Sequence, residues 1–238
     1  MKDLHCHLLF DIDDGPKNIE ESKRMLKKFY FENITDVVVT PHYISNSSYN
    51  LNNYEKIIRL EKLKEYIKQE DIRRNLYIGN EIYLDEKVIK NILDGNIATI
   101  NNTKYILVEF PMEDEYIGVE EALETLIKSG VRPIIAHPER YTIYFEDFHF
   151  FEKLLRMGCL LQGNLGSLIG IYGRHSENML IELLKRDMIQ FLATDAHHSN
   201  SRVLEKMPEI KEKLFKLVGE ERFKKLTETN FDIVINNY

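Results

Sequence analysis

A repeated pattern constrains this chain more than any single residue. A short β-branched or aliphatic run is followed by one or two polar residues and then by an amphipathic stretch. Extended runs fall at 3–7, 34–40, 76–84, 105–110, 133–136, 159–162 and 189–193; the run Val37-Val38-Val39 reads as a strand buried on both faces. Between them lie helical periodicities. Asn18 with Glu21 forms a capping box ahead of Met25, Leu26 and Phe29. Ile57, Ile58, Leu63, Tyr66 and Ile67 keep helical spacing, and a short helix is expected over 86–93. The helices ending near 129 and 157 stop at Gly130 and Gly158, where a C-cap favours positive φ. Helices are further expected at 178–186, 207–218 and 221–227. Seven strand-then-helix units in succession make a parallel sheet. With no linker, repeat or low-complexity segment, 1–238 is expected to form one α/β domain, and a barrel is economical at that length.

A barrel of this kind presents its chemistry at the C-terminal ends of the strands. His5 and His7, His42, Glu81, Glu109, His137, and Asp195 with His197 all fall at such ends. Strand side chains alternate, so His5 and His7 share a face while Cys6 points to the other, into the core. Imidazole nitrogen and carboxylate oxygen without thiolate suit Mn, Fe or Zn. The donors outnumber what one tetrahedral ion needs, pointing to two or three metals. The bland alternative is a set of hydrogen-bonded histidines, with Arg140 neutralising Glu81 or Glu109. Of the other histidines, His149 is expected to pack at a helix start, His175 to precede a helix and His198 to be a loop neighbour of His197.

Composition excludes several classes. No apolar run approaches the roughly 20 residues needed to span a bilayer, and no basic-then-apolar leader is read at the start. Two cysteines, Cys6 and Cys159, give no disulfide framework, so a reducing cytoplasm is expected. A net charge of -7 argues against nucleic acid. The glycine loop (Gly163, Gly166, Gly170, Gly173) lacks the nucleotide P-loop pattern. Six residues after the cysteines stand Ile12 and Leu165, not arginine, so a cysteine-nucleophile phosphatase loop is absent and any phosphatase here must use metal-activated water.

The segments DLHCH (3–7), DIDDGPKNIEES (11–22), TPHY (40–43), GNEIY (79–83), YILVEFP (105–111), PIIAHPERY (133–141), QGNLGSLIGIYG (162–173) and ATDAH (193–197) run in order through nearly the whole chain. Together they resemble the PHP (polymerase and histidinol phosphatase) superfamily, and within it the bacterial metal-dependent protein-tyrosine phosphatases of capsule and exopolysaccharide operons. The resemblance implies a distorted (β/α)7 TIM-like barrel with a three-metal centre, Mn2+ with Fe or Zn as alternatives. It implies a cytoplasmic enzyme acting on phosphotyrosine of a cognate tyrosine kinase, without nucleic acid or membrane insertion and with homo-oligomers left open. By position, His5, His7, Glu81 and Asp195 would hold one ion, and Glu81, Glu109 and His137 a second. Asp14 (with Asp13 as its adjacent alternative), His42 and His197 would hold the third. Arg140 and Arg202 would bind phosphate. Two departures stand out: Arg202 is followed by Val203 where the family usually has proline, and Gly163 replaces a larger residue, which is expected to loosen its loop. Rival readings are a histidinol-phosphate or other small-molecule phosphoesterase, an amidohydrolase, and a non-catalytic module that binds a kinase tail.

Overall fold

The computed structural model describes residues 1–72, 74–114, 117–145 and 147–237. Strands β1 (Lys2–Cys6), β2 (Asp36–Val39), β3 (His42–Tyr43), β4 (Asn75–Ile78), β5 (Glu81–Tyr83), β6 (Tyr105–Glu109), β7 (Arg132–Ala136), β8 (Leu160–Asn164) and β9 (Phe191–Ala193) are all parallel to their neighbours. They form two sheets, ordered β1-β2-β4 and β3-β5-β6-β7-β8-β9. The run expected at 34–40 is β2 and ends at Thr40-Pro41, since proline has no N–H to donate, with the short β3 following beyond it; the run at 76–84 is split at Gly79-Asn80 into β4 and β5. Pairing nevertheless continues across both breaks, through Gly79 N to Val39 O (2.9 Å) and Glu81 N to Pro41 O (3.1 Å). Gly79 is glycine for space, because a Cβ there would lie 2.9 Å from Val38 Cγ1. Beyond β9 the chain returns to β1 through a parallel bridge between Cys6 and Ala196, with Asp195 N donating to His5 O (2.9 Å) and His7 N to Ala196 O (3.0 Å). The strand runs thus follow one another around a distorted barrel, as expected.

Helices α1 (Ile19–Phe31), α2 (Asn53–Gln69), α3 (Glu86–Leu93), α4 (Val119–Lys128), α5 (Phe148–Met157), α6 (Arg174–Lys185), α7 (Arg202–Glu205), α8 (Met207–Lys224) and α9 (Asn230–Ile235) complete the described elements. At α1, Asn18 caps Glu21 N as read, but the Glu21 carboxylate accepts from Lys17 N (2.8 Å), one residue further out than in a standard box. In the C-terminal region Gly219, at φ 76° and ψ 171°, kinks α8 between the two helices expected at 207–218 and 221–227. The addition is a wide turn at Lys225–Thr229 that leads into a further helix, α9. Phe231, Val234 and Ile235 of α9 pack with Leu4, Val38, Leu107, Ile134 and Phe191, giving a second core apart from the main one.

Helix α2 corrects one reading. Its buried positions are Lys56, Leu60, Leu63, Tyr66 and Ile67, while Ile57 and Ile58 are 45% and 36% exposed. The Lys56 ammonium donates to Asn80 Oδ1 and lies 5.0 Å over the Tyr43 ring. Burial pushes its pKa down from 10.5 to about 8. Between roughly pH 8 and 10.5 the native state has therefore shed a proton that the unfolded chain still holds, so stability rises with pH across that window. Lys56→Met should remove this rise; urea midpoints of both proteins from pH 7 to 10.5 check it. Parallel curves would contradict the assignment.

Candidate metal centre

The mouth of the barrel collects the polar strand ends around one carboxylate. His42 and Glu81 are register partners on β3 and β5. Glu81 lies 3.3 Å from His5 Nε2, 3.2 Å from His7 Nε2, 3.1 Å from His42 Nδ1 and 2.8 Å from His137 Nε2. Asp195 Oδ1 lies 3.3 Å from His5 Nε2 and 3.5 Å from His7 Nε2. Asp14 Oδ1 is 3.5 Å from both His42 Nε2 and His197 Nε2. His137 and Asp195 take left-handed backbone (φ 36° and 51°), a conformation that costs non-glycine residues energy and is often found at functional sites.

Three overlapping groups have metal-ligand spacing: His5, His7, Glu81, Asp195; His42, Glu81, Glu109; and His7, Asp14, His42, His197. The first is the set the resemblance implied, and the third is the implied set with His7 added. The second has His42 between the carboxylates (Glu109 at 3.3 Å), while the expected His137 is 2.8 Å from Glu81 and 3.7 Å from Glu109. Asp14 rather than Asp13 faces the cluster. Asp13 is engaged from behind, accepting from His7 Nδ1 (2.8 Å), Gly15 N (3.0 Å) and His42 N (3.0 Å). Arg140 donates to Asp195 Oδ2 (3.1 Å), rather than pairing with Glu81 or Glu109, and its guanidinium covers the Tyr172 ring at 4.5 Å. Arg202 opens α7 with an exposed side chain and forms no ion pair among the described residues. His149 does not pack; its side chain is 93% exposed and pairs with Glu152 at 3.3 Å.

Further residues fix the cluster. Gln162 Oε1 accepts from His5 Nδ1 (2.8 Å), and its amide donates to Asn164 Oδ1 (2.9 Å). Asn164 in turn donates to Asp195 Oδ2 (2.7 Å). With their Nδ1 atoms engaged by Gln162 and Asp13, His5 and His7 present Nε2 lone pairs 3.3 Å apart, the arrangement by which outer acceptors orient metal-binding imidazoles. Gln162 and Asn164 stand two apart on a strand, the same spacing that singled out His5 and His7, so period-two alternation could have found them.

The donor set fits a cation. His42 Nδ1 is buried and makes no hydrogen bond although two carboxylates lie within 3.3 Å. Burial would lower the His5 pKa, but the Glu81 and Asp195 carboxylates outweigh it and hold it up to about 9. Burial would raise Asp13, yet His7 holds it down to about 2. His197 goes the other way: burial and the neighbouring His7 bring it down to about 4, leaving a neutral imidazole fit to coordinate. Binding a cation among these carboxylates displaces the imidazole protons.

Glu139 works from behind. Fully buried, it accepts from Asn164 N (2.9 Å) and Ser167 Oγ (2.6 Å), joining the turn that carries Arg140 to the loop after β8. Gly163 lies not in that loop but within β8, in register with Leu192, and Leu180 fills the space beside it; a Cβ would lie 2.5 Å from Leu180 Cδ1. Glu139→Ala strands two buried donors and should cost roughly 2–4 kcal/mol, lowering Tm by about 2–4 °C per kcal/mol at this size. Glu139→Gln keeps the accepting oxygen and should cost under about 1 kcal/mol. Thermal unfolding of both variants checks the contrast, and equal losses would refute it.

A parallel TIM-like barrel with His and carboxylate groups converging at its mouth defines a barrel protein built for metal-assisted chemistry. The chain belongs to the CpsB/CapC family of capsular polysaccharide synthesis, whose pattern matches residues 1–236. It is 35% identical over 203 residues to CapC of Staphylococcus aureus, covering 85% of this chain and 79% of that protein. It is 31% identical over 204 residues to the tyrosine-protein phosphatase YwqE of Bacillus subtilis, with the same coverage of 85% and 79%. Among solved structures, a match from work on YwqE and Streptococcus pneumoniae CpsB, described as metal-dependent tyrosine phosphatases, superposes with a TM-score of 0.91 at 30% identity, covering 100% of this chain and 95% of that one. Histidinol phosphate phosphatase from Lactococcus lactis shares the fold (TM-score 0.62, 14% identity, 95% and 94% covered).

Proposed function

We propose that this chain is a metal-dependent protein-tyrosine phosphatase. The observation that carries the reading is the convergence of three overlapping His/carboxylate groups, two of them sharing Glu81, with Arg140 anchored at the edge by Asp195. His5, His7, Glu81 and Asp195 would hold one ion; Glu81 and Glu109 with His42 or His137 a second; Asp14, His42 and His197 the third. Nitrogen and oxygen donors without thiolate suit Mn2+, with Fe or Zn as alternatives. Bound divalent ions supply a water-derived nucleophile at neutral pH and Lewis-acid neutralisation of phosphoryl charge. The chain's own part is positional. Gln162 and Asp13 fix the His5 and His7 rings, Asn164 fixes Asp195, and Arg140 offers its remaining N–H groups to the equatorial phosphoryl oxygens. Arg140, anchored by Asp195, carries the main phosphate contact in this reading, with Arg202, exposed at the start of α7, as the second.

The substrate in this reading is a phosphotyrosine protein of capsule synthesis, a bacterial tyrosine kinase in the cytoplasm. Among the described residues, no helix is long and apolar enough to cross a membrane. Metal-loaded protein should hydrolyse a phosphotyrosine peptide and leave histidinol phosphate untouched; the reverse preference would overturn the reading.

The cysteines take no part. Cys6 and Cys159 are buried, and burial pushes both thiols up, Cys159 to about 12, away from the reactive thiolate. Cys6→Ala/Cys159→Ala should keep most turnover, and a chelator should abolish it. Chelator-resistant activity lost on thiol alkylation would reverse this.

A further inference from the structure

A cleft of about 520 Å³ opens beside the metal centre, lined by Lys17, Glu21, Arg24, His198, Ser199 and Asn200. Both walls continue directly from the cluster. Lys17 follows Asp14 by three residues and His198 follows His197, and Asp14 and His197 face each other at 3.5 Å. Both walls are also held in place. Asp11 N donates to Pro16 O (2.8 Å) and Gly15 N to Asp13 Oδ1 (3.0 Å), while Gly15 packs so closely that a Cβ would lie 2.7 Å from His7 O. Opposite, His198 N donates to Ser201 Oγ and Ser201 N returns to His198 O, both at 3.0 Å.

The cleft's charge runs against that of the chain. The whole carries -7, yet this lining has two fixed cations and one acid. That acid, Glu21, is engaged by the Lys17 backbone N–H (2.8 Å) and stands 3.9 Å from Arg24. The exposed Lys17 ammonium makes no ion pair among the described residues, and Arg24 is 60% exposed. Lys17 also lines a second cleft of about 400 Å³, with Asp11, Asp13, Tyr49 and Leu51. Elsewhere the negative field opposes an anionic polypeptide; here two preplaced cations would favour one.

We propose that the Lys17–Arg24 cleft binds an anionic side chain, a carboxylate or a second phosphate, flanking the phosphotyrosine on the polypeptide substrate. The inference rests on the proposed function and adds a preference to it. Each exposed cation contributes modestly, so loss of both should cost about tenfold in kcat/KM on an acid-flanked substrate.

The test uses metal-loaded wild type, Lys17→Ala/Arg24→Ala and the reversal Lys17→Glu/Arg24→Glu. Substrates are p-nitrophenyl phosphate and phosphotyrosine peptides flanked by alanine, by aspartate and glutamate, or by a second phosphotyrosine. Wild type should prefer an anionic flank, and the preference should fade with added salt. The peptide with the larger salt-sensitive gain identifies carboxylate or phosphate as the ligand. The alanine variant should lose the preference while its turnover of p-nitrophenyl phosphate and the neutral peptide stays within about twofold of wild type, and charge reversal should disfavour the anionic flank. A wild type indifferent to flanking charge, or a variant that keeps the preference, overturns the inference. Hydrolysis of p-nitrophenyl phosphate with no peptide turned over would instead overturn the phosphotyrosine reading, and the cleft's role with it.

Discussion

Replacing Glu81 with glutamine is expected to abolish turnover, by about a thousandfold or more, and to strip metal from the purified protein. Among the described residues, Glu81 is the one carboxylate within 3.3 Å of four imidazoles, those of His5, His7, His42 and His137. Burial alone would push its pKa up, but the charge of His5 and hydrogen bonds from His137 and the others hold it well below the carboxylate range. Glutamine matches the shape and removes the charge. Two of the three ligand groups share this residue, so a single change weakens both. The variant should stay folded, because neutral imidazoles can hydrogen-bond to the amide oxygen. Elemental analysis and peptide turnover on the same sample check the claim, with circular dichroism as the control for folding. Wild-type metal content in an inactive variant would mean that Glu81 acts on substrate rather than as a ligand.

Arg140→Lys should be nearly as damaging as Arg140→Ala. The guanidinium is held at one edge by Asp195 Oδ2 and on one face by Tyr172, and its remaining N–H groups lie in the same plane. An ammonium keeps the charge but cannot present two parallel donors to a phosphoryl group. Losing charge-assisted hydrogen bonds at this half-buried position should cost roughly 1.5–3 kcal/mol, about one to two orders of magnitude in kcat/KM. The measurement is kcat/KM of both variants at saturating metal, with stoichiometry checked in each. Because the observed partner is Asp195, a candidate ligand in the first group, a purely structural arginine would instead lower metal affinity and recover near-normal turnover once metal is restored. That result would end the phosphate-binding assignment.

The barrel and most of its mouth were legible in the sequence because both follow from alternation. β-branched runs mark buried parallel strands, and polar residues at their C-terminal ends have no apolar core to enter. Choices among neighbours were less legible. Asp13 and Asp14 have the same chemistry, and only the loop closed by Gly15 turns one behind His7 and the other toward His197. Whether His42 or His137 sits between Glu81 and Glu109 depends on the register of β3 against β5 and on the left-handed turn at His137. On α2, the buried face follows the partner that Asn80 offers to Lys56, which hydrophobic periodicity cannot see. The C-terminal helix α9 closes the second core after the wide turn at Lys225–Thr229, which helical periodicity does not mark.

The central claim is that a multinuclear metal site performs phosphotyrosine hydrolysis. Its most direct test is to return Mn2+ stepwise to chelator-stripped protein, measuring bound equivalents and phosphotyrosine-peptide turnover in the same samples. The account predicts negligible activity below one equivalent and a rise as the second and third bind. Full turnover at under one bound equivalent, or none with every site filled, would contradict it.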